Sequence, residues 1–473
     1  MDVPDTTRTS RIRPTASNRR LRQRFGADVS EGDDEVVKEQ PKAQVETKVS
    51  EQAELCPSPL QCTPETEERF QKVEESSLSL VQLIDRLIEK ERERKKEREM
   101  SEVELEEERP SPHIFIPDTW IEAADSIAFD STTAPIAFVC GPKNTGKSTF
   151  SRHLLNTLLN RYRKVAYLDT DVGQPEFTTP GCLSLHVIHE RTPDLTILSL
   201  KTPERCLFFG DTSSKRDPKT YLDNILRLYD YFHTEYYQSN ELKSPRRVQL
   251  PLVINTAGWV KGIGYDILVE MLRHISPTHV VKMRVSVESK NLPSGAFWFD
   301  DSQKGHVSLI EISATFRDSL KRSVIQKDAH LLRDTRIMAY FRQCFPHEMN
   351  ITTSEELAHA LASHPPYEVP IAKIKIMHLH CQVPDSEVSY SLNATIVGLA
   401  VSCTKPESST PWCVGLGIVR AVDISKGLLY VITPVAQHNL EKVDILLQGF
   451  IEIPTRLLQV IDPFSNTHLL WFF

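Results

Sequence analysis

The sequence lacks features that several classes of protein require. Its 473 residues contain no apolar run near the ~20 residues that a bilayer span needs, so we expect no membrane association. The first residues include arginines but no apolar segment, so we expect no secretory signal. A net charge of −8 argues against a chain that is basic throughout, so any nucleic-acid contact must be local. None of the nine cysteines forms a C-x-x-C pair, which favours reduced thiols in the cytosol or nucleus.

The first 110 residues differ in character from the rest. Residues 8–24 form a basic arm, which an acidic, weakly apolar stretch follows. Such stretches bury too little apolar surface to offset chain entropy, so we predict that residues 1–110 are mostly disordered. The arm is a nuclear or nucleolar address, a weak RNA contact or a solvated tail. Residues 68–108 predict a charged helix with a short apolar stripe.

The folded part alternates apolar runs with helical patterns and then changes character. The buried-strand candidates are residues 134–140, 164–171, 250–258, 279–285 and 306–313. This alternation predicts an α/β fold, a parallel sheet of the P-loop NTPase type with flanking helices. From about residue 372, short runs of Val, Ile and Leu between turns predict a small antiparallel β domain. We therefore predict a P-loop domain over 111–345 and a β-rich domain over 368–473.

The stretch GPKNTGKST, residues 141–149, has the G-x-x-x-x-G-K-S spacing of a phosphate-binding loop. It follows a strand pattern and precedes a helical one, which is the context that such a loop needs. The glycines let backbone N–H groups face the phosphates, and the helix N-terminus adds its positive end. Lys147 would reach the β- and γ-phosphates, and Ser148 would hold Mg²⁺. The predicted ATP-binding residues are Gly141, Pro142, Lys143, Asn144, Thr145, Gly146, Lys147, Ser148 and Thr149.

Two aspartates end the next strand pattern. Asp169 and Asp171 are two residues apart, so both carboxylates can face the phosphates from the carboxyl edge of the sheet. One would orient Mg²⁺ and the other would take a proton from an attacking hydroxyl. The alternative is a pair of turn-forming aspartates. Gln174, in the loop that follows, is a candidate for a substrate contact.

Signatures of other P-loop classes are missing. The sequence has no N-K-x-D guanine reader and no L-S-G-G-Q motif. A kinase needs arginines that neutralise the transferring phosphoryl group, and Arg333 and Arg336 share one face of a helical pattern. The alternative is that they are solvated.

A glycine-rich loop carries a tryptophan at the edge of the sheet where ligands bind. Trp259 follows Gly258 directly after a buried-strand pattern. The indole either stacks on a base of a single strand or caps the core.

Together these motifs resemble the polynucleotide 5′-hydroxyl kinase family, and most closely its nucleolar pre-rRNA-processing branch. The resemblance rests on GPKNTGKST, DTDVGQPEFTTPG, FFGDTSSKRDPKTYL and NTAGWVKGIGYDIL, with a lid-like LRDTRIMAYF after them. It covers residues 113–345, with a looser match to the C-terminus. A β-rich domain that family members carry before the P-loop is not recognisable here.

The resemblance implies transfer of the ATP γ-phosphate to the 5′-hydroxyl of RNA or DNA, with Mg²⁺. It implies that Asp171 accepts the proton, that Asp169 organises Mg²⁺, and that Arg333 and Arg336 belong to the lid. The nucleic-acid contacts that it implies are Thr212, Ser213 and Trp259, to which Gln174 is added. It also implies an endonuclease partner and a place in the nucleus and nucleolus. The alternatives are an ATP-binding scaffold without catalysis and a kinase of the mRNA cleavage-factor type.

Overall fold

The computed structural model describes residues 116–129, 133–192, 198–238, 249–299, 307–314, 329–402, 410–461 and 468–470. The basic arm and the charged helix predicted within residues 1–110 lie outside these ranges. Within them, no helix is both long enough and apolar enough to cross a lipid bilayer.

The first sheet has seven strands in the order β4-β3-β2-β5-β1-β6-β7. They are β1 (Ile136–Cys140), β2 (Val165–Asp169), β3 (Cys182–Ile188), β4 (Arg205–Phe208), β5 (Leu252–Asn255), β6 (His279–Arg284) and β7 (Ser308–Ser313). The strands β2, β5, β1, β6 and β7 are parallel. Every residue of β1, β2 and β5 is buried, as expected for parallel strands covered on both faces.

The parallel sheet with flanking helices is therefore confirmed, with one addition. Strands β3 and β4 extend it beyond β2 as antiparallel strands. The sheet is therefore mixed rather than wholly parallel. The sequence analysis did not single out these two strands.

Among the described residues, four helices cover this sheet: α1 (Asp118–Phe129), α2 (Lys147–Leu158), α3 (Pro218–Phe232) and α4 (Ile263–Ile275). Helix α1 packs on α2, where the Trp120 and Phe150 rings meet edge to face at 5.8 Å. Helix α3 begins with Pro218, and the Asp217 side chain caps it by accepting from the Thr220 N–H at 3.0 Å. A π-helical turn, His233–Tyr237, follows α3.

The second sheet has six strands in the order β8-β12-β11-β10-β13-β9. They are β8 (Tyr367–Pro370), β9 (Lys375–His378), β10 (Thr395–Val401), β11 (Trp412–Asp423), β12 (Leu428–Ile432) and β13 (Ile445–Gln448). All neighbours are antiparallel except β13 and β9. The predicted antiparallel β region is therefore confirmed, with this parallel edge pair as the exception. Two short strands, β14 (Gln459–Ile461) and β15 (His468–Leu470), form a separate antiparallel pair.

Helices α5 (Ala329–Arg342) and α6 (Ser354–Ser363) lie between the two sheets in sequence. A capping box starts α6, because Thr353 and Glu356 each accept from the other's backbone N–H. Short helices α7 (Gln437–Leu440) and α8 (Thr455–Leu458) and 3₁₀ turns at Glu288–Lys290, Ile371–Lys373 and Tyr390–Leu392 complete the described elements.

One apolar cluster joins the two sheets through α5. It contains Phe208 of β4, Ile337 and Phe341 of α5, and Leu416 of β11, all nearly inaccessible to solvent. The Tyr340 hydroxyl accepts from the Leu416 N–H at 2.8 Å and so fixes α5 to β11. The second sheet is therefore part of the same core that supports the edge of the first.

Candidate active site

The predicted site lies where the carboxyl ends of three parallel strands meet. The P-loop follows β1, Asp169 ends β2, and Asn255 ends β5 between them. Asn255 is the register neighbour of Asp169 on one side and of Val139 on the other. Ligands of open α/β sheets bind at this edge, so the strand order brings these groups together.

The loop over residues 141–149 contains two glycines at which a Cβ would clash with neighbouring atoms. Gly146 has φ = 89°, which favours glycine, and a Cβ there would lie 2.5 Å from the Trp120 ring. A Cβ on Gly141 would lie 2.4 Å from the Met283 carbonyl oxygen. The Lys147 Nζ and the Thr145 hydroxyl both donate to the Pro142 carbonyl, at 2.7 and 3.0 Å.

Lys147 is buried at the start of α2, beside the loop. Burial lowers the pKa of its ammonium to about 8, while the charge of Asp171 opposes that shift. The ammonium is thus held in a poorly solvated place, where its attraction for phosphate oxygens is stronger than in water. Lys143 and Asn144, at the tip of the loop, are exposed, whereas Ser148 and Thr149 are half-buried.

Asp169 is fully buried, and three N–H donors hold its carboxylate. Its Oδ1 accepts from the Asp171 N–H and the Asn255 amide, both at 3.2 Å, and its Oδ2 accepts from the Glu176 N–H at 2.5 Å. Burial nevertheless raises the pKa of this carboxyl to about 7, because desolvation outweighs the hydrogen bonds. A cation at this place would favour the ionised form.

Asn255 is a site residue that the sequence analysis missed. Its amide also donates to the Ser148 hydroxyl at 3.3 Å, and its Oδ1 lies 3.5 Å from the Ser151 hydroxyl. One buried amide therefore links Asp169 to the P-loop helix. The sequence feature that could have revealed it is a polar residue at the carboxyl end of the apolar run LPLVIN, the same end of the sheet at which the phosphate loop follows β1.

Asp171 lies just beyond the end of β2 and remains half-exposed. Its Oδ1 accepts from the N–H groups of Gly173 and Gln174, at 3.0 and 3.1 Å. The turn-forming interpretation thus holds for one oxygen, while the same side chain interacts electrostatically with Lys147. The Gln174 side chain is exposed next to it.

Glu176 is a second residue that the sequence analysis missed. Its carboxylate forms a buried ion pair with Arg152 of α2 at 2.9 Å, and its N–H binds Asp169. Its carbonyl accepts from Arg336 of α5 at 2.8 Å. Of the two predicted lid arginines, Arg336 is therefore bound to the loop that holds Asp169, and Arg333 lies half-buried one turn earlier on the same helix.

We call residues 209–217 the clasp. Its Thr212 carbonyl lies 2.9 Å from where a Cβ on Gly173 would stand, so the clasp borders the loop after Asp171. Asp211 organises the clasp from within, since its carboxylate accepts from the Ser213 N–H at 2.8 Å and pairs with Arg216. Ser213 is exposed and Thr212 is half-buried.

Trp259 faces the clasp and is half-buried. Its indole packs on Gly264 in the first turn of α4, where a Cβ would lie 2.4 Å from the ring. The Lys215 ammonium lies 5.9 Å from the ring centroid. The preceding Gly258 packs on Lys143 of the P-loop, which leaves no room for a Cβ. The tryptophan loop, the clasp and the phosphate loop therefore adjoin one another.

The described residues contain no group of three or more His, Cys, Asp or Glu that could hold a metal. Mg²⁺ in phosphate chemistry, however, needs only one or two protein oxygens beside phosphates and water. The Ser148 hydroxyl and the Asp169 carboxylate, which share the Asn255 amide, fit that requirement.

Comparisons with known proteins show what the chain is similar to. A family model described as mRNA cleavage and polyadenylation factor CLP1 P-loop matches residues 141–343. A second, described as NOL9-like, C-terminal domain, matches residues 362–454. "Polynucleotide 5′-hydroxyl-kinase NOL9" of Arabidopsis thaliana is 55% identical over 362 residues, which are 75% of this chain and 97% of that protein. The P-loop kinase family implies that ATP is used.

More distant relatives are longer. "Polynucleotide 5′-hydroxyl-kinase NOL9" of Danio rerio is 32% identical over 68% of this chain, but only 47% of that protein is matched. The chain thus spans about half the length of the animal relatives it matches. A solved structure of the wild-type Clp1p–Pcf11p complex matches 70% of this chain and 77% of its own, with 14% identity and a TM-score of 0.48.

Proposed function

The chain belongs to the polynucleotide 5′-hydroxyl-kinase family of NOL9, and on that premise we propose that it transfers the γ-phosphate of ATP to the 5′-hydroxyl end of a nucleic acid, RNA above all. The observation that carries this proposal is the cluster of Lys147, Asp169 and Asp171 around the P-loop. A nucleotide-binding scaffold would need the lysine but not a second carboxylate beside it.

In the proposed reaction the 5′-oxygen of the acceptor attacks the γ-phosphorus. A new P–O bond forms, the bond to the β–γ bridging oxygen breaks, and ADP leaves. Asp171 takes the proton of the 5′-hydroxyl. Its placement supports this role, because two backbone N–H groups hold one carboxylate oxygen and leave the side chain half-exposed.

The phosphates would lie on the loop over residues 141–149, with Lys147 at the β- and γ-phosphates. Ser148 and Asp169 would hold Mg²⁺, which supplies charge neutralisation on the phosphate oxygens when it is bound. Arg333 and Arg336 would close over the transferring group. The bond from Arg336 to the Glu176 carbonyl supports this role for α5, since it brings the helix to the Asp169 loop.

The acceptor would lie between the clasp and the tryptophan loop. Gln174, Thr212 and Ser213 would contact its backbone, and Trp259 would stack on a base. The contact between Gly173 and the Thr212 carbonyl supports this path, because it joins the clasp to the loop that carries Asp171.

We further propose that the reaction serves processing of rRNA precursors in the nucleolus. An acceptor with a free 5′-hydroxyl must come from an endonuclease that leaves that end, so such a nuclease is the expected partner. The match of residues 362–454 to the NOL9-like C-terminal domain favours this branch over the mRNA cleavage-factor type. The division into domains over 111–345 and 368–473 is part of the same proposal.

The test is transfer of labelled γ-phosphate from Mg²⁺-ATP to a 5′-hydroxyl RNA oligonucleotide. Wild type should label the RNA, Lys147→Ala should not, and Asp171→Asn should lose about 10²-fold or more in kcat while it still binds ATP. Asp230→Asn is the matched control, because Asp230 pairs with His274 on helices α3 and α4, outside the site. If Asp171→Asn keeps wild-type transfer, Asp171 is not the base. If wild type binds ATP but never labels RNA, the scaffold alternative replaces the kinase.

A further inference from the structure

A second aromatic ring, more exposed than that of Trp259, lies beside the clasp. Phe450, just after β13, is 43% exposed, although it is a large apolar residue. The Arg216 guanidinium lies over its ring, 4.3 Å from the centroid, and the Arg216 side chain is itself half exposed. Arg216 is also paired with Asp211, so its position over the ring is fixed from two sides.

Two neighbouring clasp residues therefore point to two different aromatic rings. Lys215 lies over Trp259 on the first sheet's side, and Arg216 lies over Phe450 on the second sheet's side. Because adjacent Cα atoms are about 3.8 Å apart, both rings border one short stretch of the clasp. Aromatic faces and arginine planes next to lysine are the groups that hold single-stranded nucleic acid without reading its sequence.

The position of Phe450 relative to the clasp is fixed by the backbone. The Phe450 N–H donates to the Gly210 carbonyl at 2.6 Å. Gly449 packs so closely on Gly210 that a Cβ would lie 2.3 Å from the Gly210 oxygen. The His380 Nε2 donates to the Phe209 carbonyl at 2.6 Å, and its ring lies offset and nearly parallel to that of Phe450, 6.3 Å away.

We propose that Phe450 and Arg216 form a second stacking platform for the nucleic-acid substrate, on the 3′ side of the nucleotide near Trp259. The inference rests on the proposed function, since the 5′ end of the strand must lie at Asp171. The platform would make the protein prefer longer single strands to a minimal acceptor.

The span of the clasp limits how many nucleotides can lie between the 5′ end of the strand and the platform. Thr212 borders the loop of Asp171, and Arg216 is four residues further on, so their Cα atoms are at most about 14 Å apart. A stacked strand advances about 3.4 Å per nucleotide, so Arg216 lies within about four nucleotides of Thr212. An oligonucleotide of about ten nucleotides therefore passes the platform, and a dinucleotide serves as the minimal acceptor.

The test compares Phe450→Leu with Phe129→Leu. Leucine keeps an apolar side chain and the backbone bond to Gly210, but it removes the ring. Phe129 is 57% exposed at the end of α1. The neighbouring Ala128 carbonyl accepts from Arg161, which follows the C-terminal end of α2, whereas the P-loop precedes the N-terminal end. Phe129 is therefore a matched control away from the site.

The measurements are kcat/KM with a 5′-hydroxyl dinucleotide and with a single strand of about ten nucleotides, and the anisotropy Kd of the longer strand. Phe450→Leu should raise this Kd about five- to tenfold and reduce the preference for the longer strand by the same factor. This factor corresponds to the lower end of the range for loss of stacking on one base. Phe129→Leu should keep the wild-type preference.

The outcomes separate this inference from the proposed function. If wild type phosphorylates RNA and Phe450→Leu keeps both the wild-type Kd and the wild-type preference, the platform is refuted and the kinase stands. If Phe450→Leu loses activity equally on both lengths, the residue only supports the clasp, and the platform is again refuted. If wild type neither binds nor phosphorylates either strand, both proposals fail together.

Discussion

The strongest test of the site is removal of the buried Asn255 amide, which links the P-loop helix to Asp169. We predict that Asn255→Ala lowers kcat/KM for phosphoryl transfer while the protein stays folded. The substitution removes the donor that Asp169 Oδ1 and Ser148 Oγ share, at 3.2 and 3.3 Å. Both groups then lose the contact that orients them toward the proposed positions of the phosphates and Mg²⁺.

The size of the effect follows from the hydrogen bonds that remain. Asp169 keeps two of its three donors, the N–H groups of Asp171 and Glu176, so its carboxylate stays in place. A hydrogen bond to a charged group contributes about 1.5–3 kcal/mol. If the site loses that much transition-state stabilisation, kcat/KM falls roughly 10- to 100-fold. The Mg²⁺ concentration for half-maximal rate should rise as well.

The assay is steady-state transfer to a 5′-hydroxyl RNA, with ATP and Mg²⁺ varied separately. Asn224→Ala is the matched control, because Asn224 is a buried asparagine of α3 outside the site. Urea unfolding of both variants separates loss of stability from loss of orientation. Asn255→Asp should be more severe than Asn255→Ala, since it places a second carboxylate against Asp169.

One result would refute this reasoning. If Asn255→Ala and Asn224→Ala both keep kcat/KM within about twofold of wild type, while the Mg²⁺ dependence is unchanged, the amide is a packing element only. The three-strand geometry would then not be what orients Ser148 and Asp169.

Three further predictions test other parts of the structure. His186 is buried, and burial lowers its pKa from the ordinary 6.5 to about 3, so the stability that its neutral form contributes is present above pH 6.5 and is lost as pH falls. Between pH 7 and pH 5, the free energy of unfolding in urea should therefore fall by about 2 kcal/mol less for His186→Gln than for wild type, and equal losses would contradict this. Gly258→Ala should weaken ATP binding about tenfold or more in calorimetry, because its Cβ would lie 2.7 Å from the Lys143 backbone, and unchanged affinity would show that the loop yields. Tyr340→Phe should cost about 1–3 kcal/mol in urea unfolding, because it leaves the Leu416 N–H without its partner, and a cost near zero would mean that water replaces the hydroxyl.

Much of the fold was accessible from the sequence because its signals were local. Apolar runs such as Ile136–Cys140 are buried on both faces and therefore need no long-range information to be recognised. Strand β4 was missed because Arg205–Phe208 is only four residues long, and β3 because Cys182–Ile188 follows a long irregular loop rather than a helical pattern. Strand β3 pairs with β2 and β4 pairs with β3, both antiparallel, which strand–helix alternation does not predict. The domain boundaries near 345 and 368 stay a prediction.

The candidate site was accessible only where spacing encodes chemistry. The loop over residues 141–149 and the pair Asp169 and Asp171 have characteristic spacings, and the structure brings them together. Asn255 and Glu176 have no such spacing, since their roles come from strand order and from the return of a loop onto Asp169. Phe450 lies more than 230 residues from Arg216 in sequence, so only the packing of the two sheets reveals that they touch.

The contact between Gly210 and Gly449 has a consequence for how the clasp moves. The Phe450 amide hydrogen is bound to the Gly210 carbonyl, so it can exchange with deuterium only when clasp and second sheet separate. We therefore expect slow exchange for this amide and joint opening of the two segments. A clasp held in this way loses little conformational entropy when a strand binds, and its affinity should depend on preorganisation more than on contact area.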